Sequence, residues 1–403
     1  MKAAPIAMPT FGASFWGVRL GSIVLAALFC FGLNSFAGGL TPFYARLVLL
    51  AGLYVTLAVS LNLINGITGQ FSIGHAAFYQ VGAYAAGYLT VTFYKGQPLS
   101  TAGWFIVMVV AGAIAASVAG VIVGLPSLRL RGDYLAVVTL GFGEIIRIVT
   151  QNIKEVGAAS GLKIEPNAQG TSLVWLAWGL AIVCVAVCRN LIKNAHGLPF
   201  LAVREDEVAS SAMGVNVTMT KVVAFVIGSA FAGAAGSIYA LNEGFILPAQ
   251  FTMEISFMIL TMVVLGGTGS ITGSVFAAVL LSALPELLSN VKTVTMPSLA
   301  GIVIAIGVMV AAMRKVQANY YGDLRKAAGP LIGCIALAVG VWFIASLLLG
   351  MIPGFKDSVT EGSRLRMLVF AGALLILMML RPQGVFGHHE FSWSWFKRKQ
   401  EAA

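Results

Sequence analysis

The chain has 403 residues, of which 59% are hydrophobic and only 10% are charged, and its mean hydropathy is +0.91. A soluble domain usually carries about 25% charged residues, so this composition excludes an ordinary soluble protein and is typical of a chain surrounded by lipid. The net charge of +10 suggests nucleic acid at first sight, but the Lys and Arg residues are spread over short loops between apolar segments. Membrane topology accounts for them better, and we expect no nucleic-acid partner.

Apolar segments long enough to cross a bilayer recur along the whole chain. They predict an all-α, polytopic transmembrane bundle of about 10–12 spans. The first span is ambiguous, because Ser35-Phe36-Ala37 resembles the cleavage site of a removed signal peptide. The predicted spans are 16–34, 43–64, 75–94, 103–125, 133–150, 171–189, 221–242, 251–266, 273–289, 298–313, 329–352 and 366–380.

The basic residues predict the orientation of these spans, since cytoplasmic loops carry an excess of Lys and Arg. With the N-terminus in the cytoplasm, strict alternation also puts the C-terminus and residues 190–220 there. The outer loops then hold only scattered single charges such as Lys95 and Lys163. The inner loops and tail hold Arg129, Arg131, Arg189, Lys193, Arg204, Lys221, Arg314, Lys315, Arg325, Lys326, Arg381, Lys397, Arg398 and Lys399.

Two Gly-rich breaks interrupt the spans on the predicted inner side. The first break is Gly66-Ile67-Thr68-Gly69 and the second break is Gly266-Gly267-Thr268-Gly269. Each leads into a new apolar segment, which suggests two related halves or broken helices that line a pathway. Two ordinary tight turns between spans are the alternative.

Residues 200–216 form a compact charged segment between apolar spans. Arg204, Glu205, Asp206 and Glu207 follow one another, and the run closes near Gly214. A short polar element at a membrane face, without a catalytic signature, predicts a docking surface for a soluble partner.

Few ionisable residues lie within the spans. Glu144 and Arg147 are three residues apart and therefore share a helix face. They predict either a polar lining of a translocation path or an ion pair that only fixes packing. Gln70, Ser72 and His75 follow the first break, and they are candidates for the same path or for satisfied structural residues.

The sequence contains no phosphate-binding GxxxxGK[ST] loop, no HExxH motif and no paired-cysteine metal spacing. We therefore expect that the chain is not an enzyme, binds no cofactor and does not itself hydrolyse a nucleotide through a phosphate-binding loop. The four cysteines, Cys30, Cys184, Cys188 and Cys334, all fall in apolar spans, and we expect buried small hydrophobes.

Several ordered blocks resemble the permeases of branched-chain amino acid ABC importers, the LivH/LivM family. LNLINGITGQFSIGHAAFYQVGAYAAGYL at 61–89 is similar to the family signature, and PSLRLRGDYLAVVTLGFGEIIRIV at 126–149 is similar to the LivM type. Residues 201–240 resemble the coupling loop of the family and the span that follows it. Further similar blocks are VVLGGTGSITGSVFAAVLL at 263–281 and RPQGVFG at 381–387.

The resemblance implies the transmembrane permease of an ATP-driven, binding-protein-dependent importer in a bacterial inner membrane. Its expected partners are a LivH-like permease, two ATPase subunits and a periplasmic amino-acid-binding protein. By the same resemblance, the ATPase interface comprises Arg204, Glu205, Asp206, Glu207 and Gly214. The cargo stays open between branched-chain or hydrophobic amino acids and urea or short amides. An ion-coupled secondary transporter is the alternative outside the family, with Glu144 as its candidate site.

The chain departs from the family pattern between about 298 and 365, where it has extra hydrophobic sequence around a basic loop. We predict a permease core over 1–313 that includes the loop 190–220, and an added helical insertion over 314–365. The last span and a basic cytoplasmic tail occupy 366–403.

Overall fold

A computed structural model describes residues 13–94, 101–127, 133–165 and 173–289, with a few more at 294–295, 304, 340–341, 343 and 359–360. In these ranges the chain is a bundle of α-helices. They are α1 Ala13–Gly38, α2 Pro42–Asn62, α3 His75–Phe93, α4 Thr101–Ser127, α5 Asp133–Asn152, α6 Val174–Lys193, α7 Leu198–Glu205, α8 Glu207–Ala212, α9 Val217–Glu243, α10 Met253–Gly266 and α11 Ile271–Ser289. The strands are β1 Leu162–Lys163, β2 Phe245–Ile246, β3 Val294–Thr295 and β4 Val359–Thr360.

Each of the first nine predicted spans falls on a helix, which confirms the all-α, polytopic bundle. Among the described residues, seven helices are long and apolar enough to cross a membrane. The third and ninth predicted spans are not in this set: α3 carries polar residues such as His75 and Gln80, and the apolar part of α11 is shorter. The predicted spans 298–313, 329–352 and 366–380 lie outside the described residues, apart from isolated positions.

Small residues let α3, α4 and α9 approach closely at the centre of the bundle. A Cβ atom on Gly112 of α4 would overlap the Ser237 hydroxyl of α9, and one on Gly82 of α3 would overlap the Gly233 backbone. The Ser237 hydroxyl also donates to the carbonyl of Gly82 at 3.2 Å. Backbone contact of this kind holds helices together in lipid, where burial of apolar side chains gives little driving force between them.

The most buried membrane helix, α2, packs against α6, α9, α10 and α11. Leu53, Leu57 and Leu61 recur at four-residue spacing and are almost fully buried. Gly52 leaves room for the ring of Trp178 on α6, whose indole N–H donates to the Val48 carbonyl at 2.9 Å. The sequence of α2 thus forms the inner wall of the bundle rather than a lipid-facing helix.

The two Gly-rich breaks differ in structure. After Asn62, α2 widens into a π-helical turn over Leu63–Ile67, and the chain is not helical again until His75. The second break is a tight turn between α10 and α11, with φ of +114° at Gly267 and +95° at Gly269. The first break therefore fits the predicted broken helix, and the second fits the alternative of a turn.

The loops separate to opposite ends of the bundle. The two breaks and α7 lie together at one end. At the other end, β1 pairs antiparallel with β2, with Leu162 opposite Ile246 and Lys163 opposite Phe245. Arg46 and Glu243 form an ion pair at 3.0 Å at this same end. The grouping agrees with the predicted alternation of spans 2 to 9.

A second strand pair involves the predicted insertion. β3 and β4 are antiparallel, with Val294 opposite Thr360 and Thr295 opposite Val359. This brings a late part of the 314–365 segment beside the residues that follow α11. The division of the chain into core, insertion and tail remains a prediction.

Candidate functional site

The predicted docking segment forms two short helices, α7 and α8, joined at Asp206. The Asp206 carboxylate accepts hydrogen bonds from the backbone N–H groups of Val208 and Ala209 at 2.8 and 3.1 Å, and so caps α8. At the other end of α8, Gly214 has a φ of +87° and lies in open space. The N–H of Val215 reaches back to the carbonyl of Ser210 at 3.0 Å, which closes the helix in a Schellman arrangement.

The charged residues of this segment mostly interact within the chain itself. Glu207 forms an ion pair with Lys221 of α9, whose side chain is only 8% exposed. Arg204 lies against Gly69 of the first break and is 3.9 Å from Glu205. Glu205 differs from Glu207, because its side chain is 80% exposed to solvent. Asp206 and Glu207 therefore have structural roles here. A role at a partner interface stays a prediction for these four charged residues and for Gly214.

The surface that α8 presents to solvent is largely apolar. Val208 is 68% exposed and Met213, the residue that directly follows α8, is 85% exposed, while Ala209 and Ala212 are also exposed. Ser210 is the buried member of α8. Sequence reasoning emphasised the charges and missed this face. The available signal was the presence of Val208 and Met213 inside an otherwise polar segment.

Direct contacts connect the docking segment to the first break. A Cβ atom on Gly69 would touch the Cα and side chain of Arg204 at 3.3 Å. The Gln70 side chain donates from Nε2 to the backbone carbonyl of Lys221 at 3.3 Å. Gln70 thus joins the first break to the start of α9, and it is almost fully buried.

Asn62, at the end of α2, joins the two breaks. Its Nδ2 donates to the Ser270 carbonyl at 3.1 Å, and its Oδ1 accepts from the Gly269 N–H at 2.8 Å. A Cβ atom on Gly66 would overlap both Asn62 and the backbone of Gly269, so the contact requires glycine at 66. Sequence reasoning missed Asn62, although a single amide in an apolar run beside a Gly-rich break was a usable signal.

The start of α3 lies inside the bundle. The Ile73 N–H donates to the Thr139 hydroxyl at 3.1 Å, and Thr139 is about 9 Å along the axis of α5 from its first residue. The Ala76 N–H donates to the Ser256 hydroxyl at 3.1 Å. His75 is fully buried, and its Nε2 lies 2.9 Å from the Ser60 hydroxyl.

Several buried polar atoms around this helix start have no hydrogen-bond partner among the described residues. They are Gln70 Oε1, Ser72 Oγ, His75 Nδ1 and both amide atoms of Gln80. Most buried polar groups in proteins are satisfied, because an unmade hydrogen bond costs about 1–3 kcal/mol. Gln80, on α3, was not predicted from the sequence.

Glu144 and Arg147 form an ion pair on α5, as their spacing predicts. The Glu144 carboxylate accepts from Arg147 Nη2 at 2.7 Å and from Nε at 2.8 Å, and each side chain is 24% exposed. Glu144 also lines a small cavity beside the start of α3, together with Gly74, Gly143 and Ser256. Arg147 does not line this cavity. The structure therefore brings Glu144 close to the segment that holds Ser72 and His75.

The opposite end of the bundle carries an exposed ion pair between Lys163 and Glu165 at 2.7 Å. Their side-chain hydrogen bond, with the attraction between the charges, raises the pKa of Lys163 and lowers the pKa of Glu165. This pair marks the end that is farthest from α8.

The fold and the site together define a polytopic helical membrane protein in which the two short helices α7 and α8 lie beside a broken helix. The sequence pattern of the family described as "Branched-chain amino acid transport system / permease component" matches residues 43–313. The chain therefore belongs to this permease family.

Among similar proteins are the high-affinity branched-chain amino acid transport system permease proteins LivM of Salmonella typhimurium and of Escherichia coli. Each is 34% identical over 284 residues, which cover 62% of this chain and 65% of the relative. The chain thus spans about two thirds of the length of these relatives. The Escherichia coli permease LivH is 24% identical over 60% of this chain and 83% of its own length. No solved structure matches the chain.

Proposed function

We propose that this chain is the permease subunit of an ATP-driven, binding-protein-dependent importer for branched-chain and other hydrophobic amino acids. The observation that carries the proposal is the membership of the permease family, joined to an exposed two-helix segment that contacts a broken membrane helix. The names of the LivM relatives support the substrate class.

The energy source in this proposal is ATP hydrolysis in two partner subunits. The exposed apolar face of α8, with Val208 and Met213, suits burial in a groove of a soluble partner. Glu205 provides a well-exposed charge at its edge, and the caps at both ends of α8 stabilise the short helix. The other partners are a LivH-like permease and a periplasmic binding protein, and this chain itself binds no cofactor.

The translocation path in this proposal passes the start of α3. Glu144 and Ser256 line the cavity, and Ser72 and His75 lie on either side of its lining residues Ile73 and Gly74 in the chain. Gln70 continues this polar segment toward the first break. Arg147 holds the Glu144 carboxylate in place. Polar residues at membrane depth normally face a pathway or the bundle interior, because contact with lipid is costly.

An ion-coupled secondary transporter is a weaker alternative. It needs an ionisable residue that exchanges a proton or a cation inside the membrane. Within the described part of the spans, Glu144 is the candidate, and Arg147 holds it in two short hydrogen bonds. A carboxylate paired in this way is a poor site for a travelling cation.

The proposed location is the inner membrane of a bacterium, with both termini and α8 in the cytoplasm. The excess of Lys and Arg in the loops at the α8 end supports this orientation.

The test is uptake by the complete complex, reconstituted in vesicles with candidate ATPase subunits, partner permease and binding protein. We expect uptake of radiolabelled leucine, isoleucine and valine that requires ATP and the binding protein. Labelled urea and acetamide, supplied at the same concentration, serve as alternative cargoes.

Uptake that proceeds equally well without any ATPase subunit would contradict the proposed energy source. Loss of uptake on adding an uncoupler, with no effect of ATP depletion, would favour the ion-coupled alternative. Transport of urea in preference to leucine would keep the permease class and change its cargo.

A further inference from the structure

A continuous set of contacts leads from α8 to both Gly-rich breaks. Glu207 on α8 pairs with the buried ammonium group of Lys221. The backbone carbonyl of Lys221 accepts a hydrogen bond from Gln70 Nε2 at 3.3 Å, directly after the first break. The docking segment is therefore attached to the first break through the initial turns of α9.

The same set of contacts continues from the first break to the second. The Gln70 N–H donates to the Ile64 carbonyl at 3.0 Å, which ties the residue to the π-helical turn. Asn62, just before that turn, holds the second break through its bonds to Gly269 and Ser270. Packing of Gly69 against Arg204 adds a separate contact between the docking segment and the first break.

The burial of these groups makes the connection stiff. Asn62 is fully buried and Gln70 is almost so, which means that water cannot replace their hydrogen bonds when the segment moves. The backbone beside them is hinge-like, with a π-helical turn on one side and glycines at positive φ on the other. If α8 moves, the buried contacts therefore stay intact and the backbone at the two breaks changes conformation.

We propose that Asn62, Gln70 and Lys221 are positioning residues that transmit the movement of α8 to the two breaks, and through the first break to the start of α3. This inference rests on the proposed function, because it needs a partner that moves α8. Asn62 is the central residue, since one side chain bridges two breaks that are about 200 residues apart in sequence.

The test compares Asn62→Ala with the wild type in the complete, reconstituted complex. Two quantities are measured: basal ATP hydrolysis, and the factor by which substrate-loaded binding protein stimulates it. Stimulation by the binding protein and uptake both require movement to pass between the two ends of the bundle, so a broken connection weakens both. Asn62→Ala removes both hydrogen bonds of the bridge, to Ser270 and to Gly269. We expect the stimulation and the uptake per ATP each to fall about thirtyfold, as for two lost buried hydrogen bonds of about 1 kcal/mol each, while basal hydrolysis continues.

Thr56→Val is the matched control on the same helix. Thr56 is fully buried, and its hydroxyl donates to the Gly52 carbonyl at 3.1 Å. Both residues lie on α2, so this hydrogen bond does not connect α2 to another element. We expect wild-type stimulation for this variant. Asn62→Leu fills the volume of the amide, and it decides the matter if the alanine variant does not assemble.

Wild-type stimulation in an assembled Asn62→Ala or Asn62→Leu complex would overturn the proposal. An equal loss of basal hydrolysis, stimulation and uptake would also overturn it, because that pattern indicates a structural defect. Failure of the proposed function gives a different result, because uptake by the wild-type complex would then not require ATP.

Discussion

At the scale of single residues, the ion pair between Glu207 and the buried Lys221 attaches α8 to α9, and its contribution to stability can be measured. Glu207→Gln leaves the Lys221 ammonium buried without a counter-charge. We expect a loss of about 1 kcal/mol of stability, because the Glu207 side chain is partly exposed and solvent screens the pair. Thermal unfolding of the purified chain in detergent measures the loss.

The double variant Glu207→Gln/Lys221→Met is the control for this first prediction. It removes the buried charge together with its partner, and we expect a midpoint close to that of the wild type. A double variant that is less stable than Glu207→Gln would show that Lys221 contributes mainly by other contacts.

Variants of Glu144 and Arg147 can distinguish a structural role of this ion pair from a role in the proposed translocation path. Arg147→Leu leaves a carboxylate in the membrane without its counter-charge, which costs about 2.5–3.5 kcal/mol at the centre of a membrane helix, and we expect poor folding. Glu144→Gln/Arg147→Leu removes both charges and should restore folded protein, as seen by size-exclusion chromatography.

Uptake by the same double variant gives the second half of this prediction. Because Glu144 lines the cavity beside the start of α3, we expect uptake about tenfold below wild type, the equivalent of about 1.4 kcal/mol. Full uptake by the folded double variant would leave the pair with a purely structural role.

At the scale of elements, the sequence predicts the helices well and the contacts between them poorly. Apolar length and turn residues suffice to locate α1 to α6 and α9 to α11, since each helix must satisfy its own backbone in lipid. The hydrogen bond between Asn62 and Gly269 joins residues that are far apart in sequence, and the hydrophobic periodicity of a single helix cannot predict such a contact. The same limit applies to α8, whose charges pair inward while its apolar face is exposed.

The packing of α3 on α9 gives a prediction at this scale. Gly82→Ala would push a methyl group into the backbone of Gly233, and overpacking of this kind costs about 1–3 kcal/mol. We expect a lower thermal midpoint and less protein in the membrane fraction. Gly179→Ala on α6 is the matched control, because among the described residues no atom outside its own stretch of helix lies within 4 Å of the added methyl group. Equal effects of the two changes would show that the close approach of α3 and α9 contributes little.

At the scale of the whole molecule, the two ends of the bundle should face opposite sides of the membrane. The Met213 side of α8 lies at one end and Lys163 lies at the other, and both side chains are well exposed. Single cysteines at these positions report the orientation once the native cysteines have been replaced by alanine at Cys30, Cys184, Cys188 and Cys334.

A membrane-impermeant maleimide applied to intact spheroplasts should label Lys163→Cys and not Met213→Cys, because the basic loops hold the α8 end in the cytoplasm. Inside-out vesicles should give the reverse pattern. Addition of the ATPase subunits to those vesicles should then protect Met213→Cys, since the exposed face of α8 becomes buried in a partner. Labelling of Met213→Cys in intact spheroplasts would reverse the topology and remove the docking segment from the reach of any cytoplasmic ATPase.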